Sequence, residues 1–146
     1  KIVENALTQN NNNIQAVVAS NDGTAGGAIS ALKKVGLAGK VIVTGQDAEI
    51  AALQSVSQGE QSMTIYKKIQ PLAYGAVEAA IKLAKKEPLT DAKPFRNDQN
   101  GKDVPSILYE PTVVTKDNLM ETVVKDGYAK FEDVYKNVPA EQRPKQ

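Results

Sequence analysis

The sequence predicts an α/β fold, a parallel sheet sandwiched by helices, and three observations carry that prediction. Short runs of β-branched and small apolar residues recur about two dozen residues apart, at Ala16-Val17-Val18-Ala19, Val41-Ile42-Val43-Thr44 and Ser62 to Tyr66. The stretches between them carry apolar residues at helical spacing. Gly36, Gly59 and Pro71 stand at borders of those periodic stretches. Strands that alternate with helices of this length build βαβ units, whose crossover connections make neighbouring strands parallel.

Taken in order, Ile2, Val3, Ala6 and Leu7 show helical spacing directly behind Lys1. A helix that begins at once, behind a residue other than Met, leads us to expect a fragment or processed piece. The polar run Asn10 to Asn13 is a loop, and the first apolar run a buried strand bounded by Ser20-Asn21-Asp22-Gly23. Ala25, Ala28, Ile29, Leu32 and Val35 then share one face of an amphipathic helix, with Lys33 and Lys34 off that face and Gly36 placed to stop it. The second strand leads through Gly45-Gln46-Asp47 into a helix marked by Ile50, Leu53, Gln54 and Val56, ending near Gly59. The third leads into Lys67 and a helix from Pro71 to Lys85, whose stripe is Leu72, Ala76, Val77, Ala80, Ile81 and Ala84. From Glu87 to Pro105 the chain is polar and broken by Pro88, Pro94 and Gly101, which predicts a loop or crossing segment. Ser106 to Val114 reads as extended, with Pro111 at an edge or bulge. Leu119, Met120, Val123 and Val124 predict a closing helix, and the tail from Pro139 is expected to fray.

Composition narrows the chemistry. The 146 residues include no Cys and no His, which removes thiolate nucleophiles, disulfides, zinc-finger-type metal sites and His general bases. Eighteen Lys and Arg against 17 Asp and Glu give a formal net charge of +1, with signs interspersed, so neither nucleic acid nor an anionic membrane is an expected partner. No apolar run approaches the roughly 18 residues that a spanning helix requires. A missing Cys fits the periplasm, the cell exterior and the cytosol equally.

Each of the first three strands ends in polar residues: Asn21-Asp22, Gln46-Asp47 and Tyr66-Lys67. In an open parallel sheet the ligand crevice lies outside the carboxyl ends of the strands, so residues distant in sequence converge there. Asn, Asp and Gly also cap helices and make turns, but three such clusters in register favour a site. Asp accepts, Lys donates and Asn does both, a set suited to the hydroxyls of a neutral polyol. The stretch Gly23-Thr24-Ala25-Gly26-Gly27 opens a helix without matching GxGxxG or GxxxxGK[ST], and Asp22 beside it repels phosphate. We read those glycines as helix packing, and expect no cofactor and no metal.

The strings VVASNDGTAGGAISALKKVGLAGKVIVTGQDAE, SMTIYKKI and VPSILYEPTVV closely resemble the C-terminal half of periplasmic sugar-binding proteins of the ribose/galactose type, from about Lys1 to Tyr128. The resemblance implies two Rossmann-like lobes joined by hinge strands, with a monosaccharide, D-xylose first, held between them and the closed form read by an ABC permease. It implies that Asn21, Asp22 and Asp47 hydrogen-bond sugar hydroxyls and that Lys67 donates from the hinge. It divides the chain into residues 1–66 in the C-terminal lobe, 67–105 in a hinge crossing and a helix of the N-terminal lobe, 106–138 in a return strand and closing helices, and 139–146 in a flexible tail. It also implies a periplasmic or extracellular location, with a lipid anchor in a Gram-positive cell. The family is roughly twice as long as this chain. The expected partner of the Pro71 helix is therefore the N-terminal half, as a second polypeptide, or a second copy of the chain. Sugar-stacking aromatics are expected in that half.

Rival readings remain. A LacI-type repressor or an extracellular sensor would share fold and pocket. A receiver-type phosphoacceptor enzyme also places acids and a Lys at strand ends, but the acidic pair after its first strand and the hydroxyl residue before its Lys are not reproduced here. Glycoside hydrolysis needs two carboxylates flanking an anomeric bond, and Asp22 and Asp47 read better as hydroxyl acceptors. No catalytic residue is expected.

Overall fold

The computed structural model describes residues 1–145. In chain order the elements are α1 (Ile2–Gln9), β1 (Ala16–Val17), α2 (Asp22–Lys34), β2 (Ile42–Val43), α3 (Ile50–Gln58), β3 (Thr64–Tyr66), α4 (Ile69–Ala84), β4 (Lys93–Asn97), β5 (Lys102–Ser106), β6 (Thr112–Val114), a π-helical turn (Met120–Val124), α5 (Phe131–Val134) and a 3-10 turn (Ala140–Gln142). The chain forms two compact units: residues 1–67 with the chain from Thr112 onward, and residues 68–111.

In the larger unit β1 and β2 are parallel, with Ala16 opposite Ile42 and Val17 opposite Val43, and α2 makes the crossover. The helices stop where chemistry dictates. Gly36 takes φ of 69°, its N–H donates to Lys33 O, and Leu37 N–H reaches back to Leu32 O, the paired bonds of a Schellman cap. Gly59 (φ 79°) ends α3 in the same way, with Gly59 N–H on Val56 O and Glu60 N–H on Ser55 O. One core cluster joins Leu7 of α1 to Ala25, Ile29 and Leu32 of α2 and to Val41 and Val43. A second joins Leu53 and Val56 of α3 to Tyr66, Val114, Leu119, Val123, Val134 and Tyr135.

Three expectations change. The third strand was expected to extend the parallel sheet, but β3 has its ladder with β6, antiparallel, from Thr64 opposite Val114 to Tyr66 opposite Thr112. Its tie to β2 is instead local, with Ser62 N–H on Val43 O and Val43 N–H on Ser62 Oγ. The first apolar run is covered on one face only: Val17 and Ala19 pack against the core of α1 and α2, while Ala16 is exposed and Val18 is 87% exposed on the other face. The closing helix is a wide turn, with Val124 N–H on Leu119 O and Lys125 N–H on Met120 O, which still buries Leu119 and Val123. Beyond Pro139 the 3-10 turn is followed by Arg143, whose Nε donates to Val138 O at 2.8 Å.

In the smaller unit α4 starts at Ile69, two residues before Pro71. Proline sits without cost in a first turn, where its missing N–H has no intrahelical acceptor. The segment expected to be a loop holds a hairpin, β4 with β5 antiparallel, Lys93 opposite Ser106 and Asn97 opposite Lys102. Its turn is built by Asn97 Oδ1 accepting from Gln99 N–H, Asn100 Oδ1 accepting from Lys102 N–H, and Gly101 at φ 67°. The strands read KPFRN and KDVPS, so the alternation that marks a half-buried strand is absent and both are largely exposed.

Candidate functional site

All four expected site residues lie in the larger unit, at the ends of β1, β2 and β3. Asn21 is the N-cap of α2, and its Oδ1 accepts from Thr24 N–H (2.9 Å) and Thr24 Oγ1 (2.7 Å) in a capping box. Its side chain is exposed, and among the described residues nothing accepts from its amide nitrogen.

Asp47 and Lys67 meet. The Lys67 ammonium lies 2.7 Å from Asp47 Oδ1, with side chains 43% and 41% exposed respectively, an ion pair with both members open to solvent. Asp47 holds φ of 100° and Ala48 φ of 52°, two successive residues in the region that disfavours side chains. Such conformations cost of order 1–3 kcal/mol each and persist only where the surroundings enforce them. Here three consecutive N–H groups are restrained: Asp47 N–H donates to Ile65 O (2.9 Å), Ala48 N–H to Thr64 Oγ1 (3.2 Å) and Glu49 N–H to Asp22 Oδ2 (3.0 Å).

Asp22 is placed differently from its neighbour. It is only 3% exposed, and its carboxylate accepts from Gln61 Nε2 (2.8 Å), Thr64 Oγ1 (2.8 Å) and Glu49 N–H. Its own N–H donates to Gln46 O at 2.8 Å. The carboxylate expected to face a sugar thus accepts from three donors inside the protein. Gly45 explains itself here, since a Cβ on it would run into the Asp22 carboxylate and the Gln61 amide. The Gln61 amide nitrogen donates to Asp22 and Met63 O, and its buried Oε1 has no donor among the described residues.

One aromatic at this site escaped the sequence reading. Tyr128 stacks on Tyr66 with centroids 4.6 Å apart, and its hydroxyl donates to Asp47 O at 3.3 Å. Burial, and then the negative charges of Asp22, Asp47 and Glu49, push its phenol above the usual range. Burial, followed by the hydrogen bond to Asp126 Oδ2 at 2.8 Å, raises Tyr66 to about 12. Tyr128 lies about 80 residues from Asp47, with no periodic pattern around it, so only the return of the chain through β6 brings it here. Among the described residues no group of three or more acidic side chains is arranged to hold a metal ion.

Comparison with known proteins supplies the family. A periplasmic binding protein domain matches residues 1–88. The D-xylose-binding periplasmic protein of Haemophilus influenzae is 50% identical over 135 residues, 92% of this chain and 40% of that protein. Its counterpart in Escherichia coli is 53% identical over 132 residues, 89% of this chain and 39% of that one. The chain thus spans about 40% of the length of these relatives. A carbohydrate transporter solute-binding protein from Chloroflexus aurantiacus, solved with D-glucose, is 34% identical with a TM-score of 0.78, over 90% of this chain and 39% of that one. With a helix-crossed parallel strand pair, polar residues gathered at the strand ends and these matches, the chain belongs to the periplasmic binding protein family and carries part of its α/β fold.

Proposed function

We infer that the protein binds a monosaccharide, D-xylose before other sugars, as the solute-binding component of an ABC sugar transporter in the periplasm. The observation that carries this reading is identity of 50% and 53% with two D-xylose-binding periplasmic proteins across about nine-tenths of the chain. Asn21, Asp47 and Lys67 supply the direct contacts, with Asp22 behind them. The open Asn21 amide and the Lys67 ammonium donate to sugar oxygens, and the Asp47 carboxylate accepts from hydroxyls. Charge-assisted bonds of this kind contribute about 1.5–3 kcal/mol each. Asp47 and Lys67 cancel each other's charge, which suits a neutral ligand.

The crossing and helix within residues 67–105 are assigned to the second lobe, and α4, which buries none of its side chains, supports that assignment. What covers it is the N-terminal half of the fold or a second copy of this chain. Sugar then acts by shifting the open and closed populations, and the permease reads the closed form.

Calorimetric titration of the full-length protein with D-xylose tests the reading. Asp47→Ala is expected to weaken binding tenfold or more, since an acceptor that the bound sugar takes out of solvent costs roughly 1–3 kcal/mol when lost, and Lys67→Met to weaken it as well. Wild-type curves from either variant remove that residue from the site. Binding should respond little to salt, and a steep loss at moderate ionic strength would contradict a neutral ligand. Native mass spectrometry of this chain decides the partner: a complex heavier than 15.6 kDa that gains one sugar mass supports it, and a monomer blind to sugar opposes it.

A further inference from the structure

Asp22 is the buried charge that the direct contacts do not use. From the end of β1 it reaches the segment after β2 and the start of β3. Its N–H holds Gln46 O beyond β2, its carboxylate receives Glu49 N–H from the turn that follows, and Thr64 Oγ1 reaches it from β3 while Gln61 Nε2 reaches it from the approach to β3. Asp22 also adjoins Asn21 at the start of α2. We propose that Asp22 is a positioning residue: its buried carboxylate locks the Asp47-Ala48 turn in its left-handed conformation and so sets Asp47 against Lys67. The inference rests on the sugar-binding reading for its ligand, but on geometry alone for the lock.

The argument is one of restraint. Two adjacent residues at positive φ relax unless their amides are held. Thr64 holds Ala48 N–H through an oxygen whose own hydrogen is directed at the Asp22 carboxylate, so the orientation of that hydroxyl is set by Asp22. Glu49 N–H is held by Asp22 directly. An amide in place of the carboxylate keeps the shape but offers one acceptor oxygen, and turns an N–H2 group toward donors that already point inward. The turn then loses at least one restraint, and Asp47 loses its fixed approach to Lys67. The absence of a Cβ at Gly45 is the space the lock occupies.

The test compares Asp22→Asn with Leu7→Ala in the full-length protein. Leu7 is 2% exposed in the core cluster of α1 and α2, so its loss lowers stability without touching the strand ends. Asp22→Asn should raise the D-xylose Kd about tenfold or more and speed amide hydrogen exchange at Ala48 and Glu49 by at least as much. Leu7→Ala should lower the melting temperature with Kd and those exchange rates within twofold of wild type. Wild-type exchange at both amides in Asp22→Asn, or equal weakening of sugar binding by Leu7→Ala, overturns the proposal. If Asp22→Asn does not fold, Thr64→Val, which keeps shape and removes the intermediary hydroxyl, takes its place: a raised Kd with faster exchange at Ala48 supports the lock, and wild-type exchange there overturns it. If the wild-type protein binds no sugar, the functional reading fails, and hydrogen exchange alone still decides the lock.

Discussion

Helices α3 and α4 look alike in sequence and differ completely in what they bury. The nine residues of α3 bury Ala52, Leu53, Val56 and Ser57, while the sixteen of α4 bury none, with Tyr74, Val77, Ile81 and Leu83 each at least half exposed. Both obey the same local rules, so helix formation does not distinguish them. The difference is that α3 packs on a core drawn from β3, β6 and α5 within its own unit. The unit around α4 contains only the hairpin, whose apolar cross-strand pair, Phe95 opposite Val104, is itself 55% and 44% exposed. An apolar stripe specifies which face of a helix will be buried, and something else must bury it.

The largest expected effect sharpens that contrast. Leu53→Ala removes a fully buried side chain and should cost about 2–5 kcal/mol in urea unfolding of this chain. Val77→Ala on α4, where the side chain is 59% exposed, should stay within about 0.5 kcal/mol. Comparable losses would break the comparison, and would mean that a second chain or copy covers α4 in solution.

Next come two glycines. Gly45→Ala drives a methyl into the Asp22 carboxylate and the Gln61 amide, and thermal melts should show a loss of about 1–3 kcal/mol. Gly75→Ala in α4 meets the Tyr109 hydroxyl and the ring carbons next to it, the outer end of a partly exposed side chain that can swing away. Against the roughly 1 kcal/mol gained in helix propensity, that variant should be neutral or stabilised. Loss of the Asn21 cap in Asn21→Ala should cost about 1 kcal/mol, read by the same melts.

The effect confined to high pH lies in Tyr66. Its folded phenol is raised to about 12 from 10. Between those values the unfolded chain loses a proton that the folded chain keeps, so stability falls as pH rises through that window. Unfolding of Tyr66→Phe should show a shallower decline from pH 10 to 12 than wild type, and parallel profiles would remove Tyr66 as the cause.

Much of the larger unit was legible because its signals are local. Gly36 and Gly59 stop helices where the left-handed caps form, and the polar residues expected after the strands are found there. The hairpin was not legible: a strand announces itself by burying one face, and KPFRN and KDVPS bury neither. Nor was the distinction between Asn21 and Asp22. Adjacent polar residues at a strand end look equivalent in a sequence, and only the packing of Gln61 and Thr64 turns one inward and leaves the other out.

By itself the sequence determined the order of helices and strands as far as α4, their periodicity and the placing of polar residues after the strands, because propensity, capping and turn chemistry act over a few residues. It also determined the family, because strings such as SNDGTAGG and VTGQDAE are specific at their spacing. Only the tertiary structure decided that β3 pairs antiparallel with β6, that Tyr128 reaches Asp47, that Asp47 meets Lys67, and that Asp22 is spent inside the protein. Those outcomes depend on which distant groups compete for the same hydrogen bonds and the same space, and that competition exists only once the chain has folded.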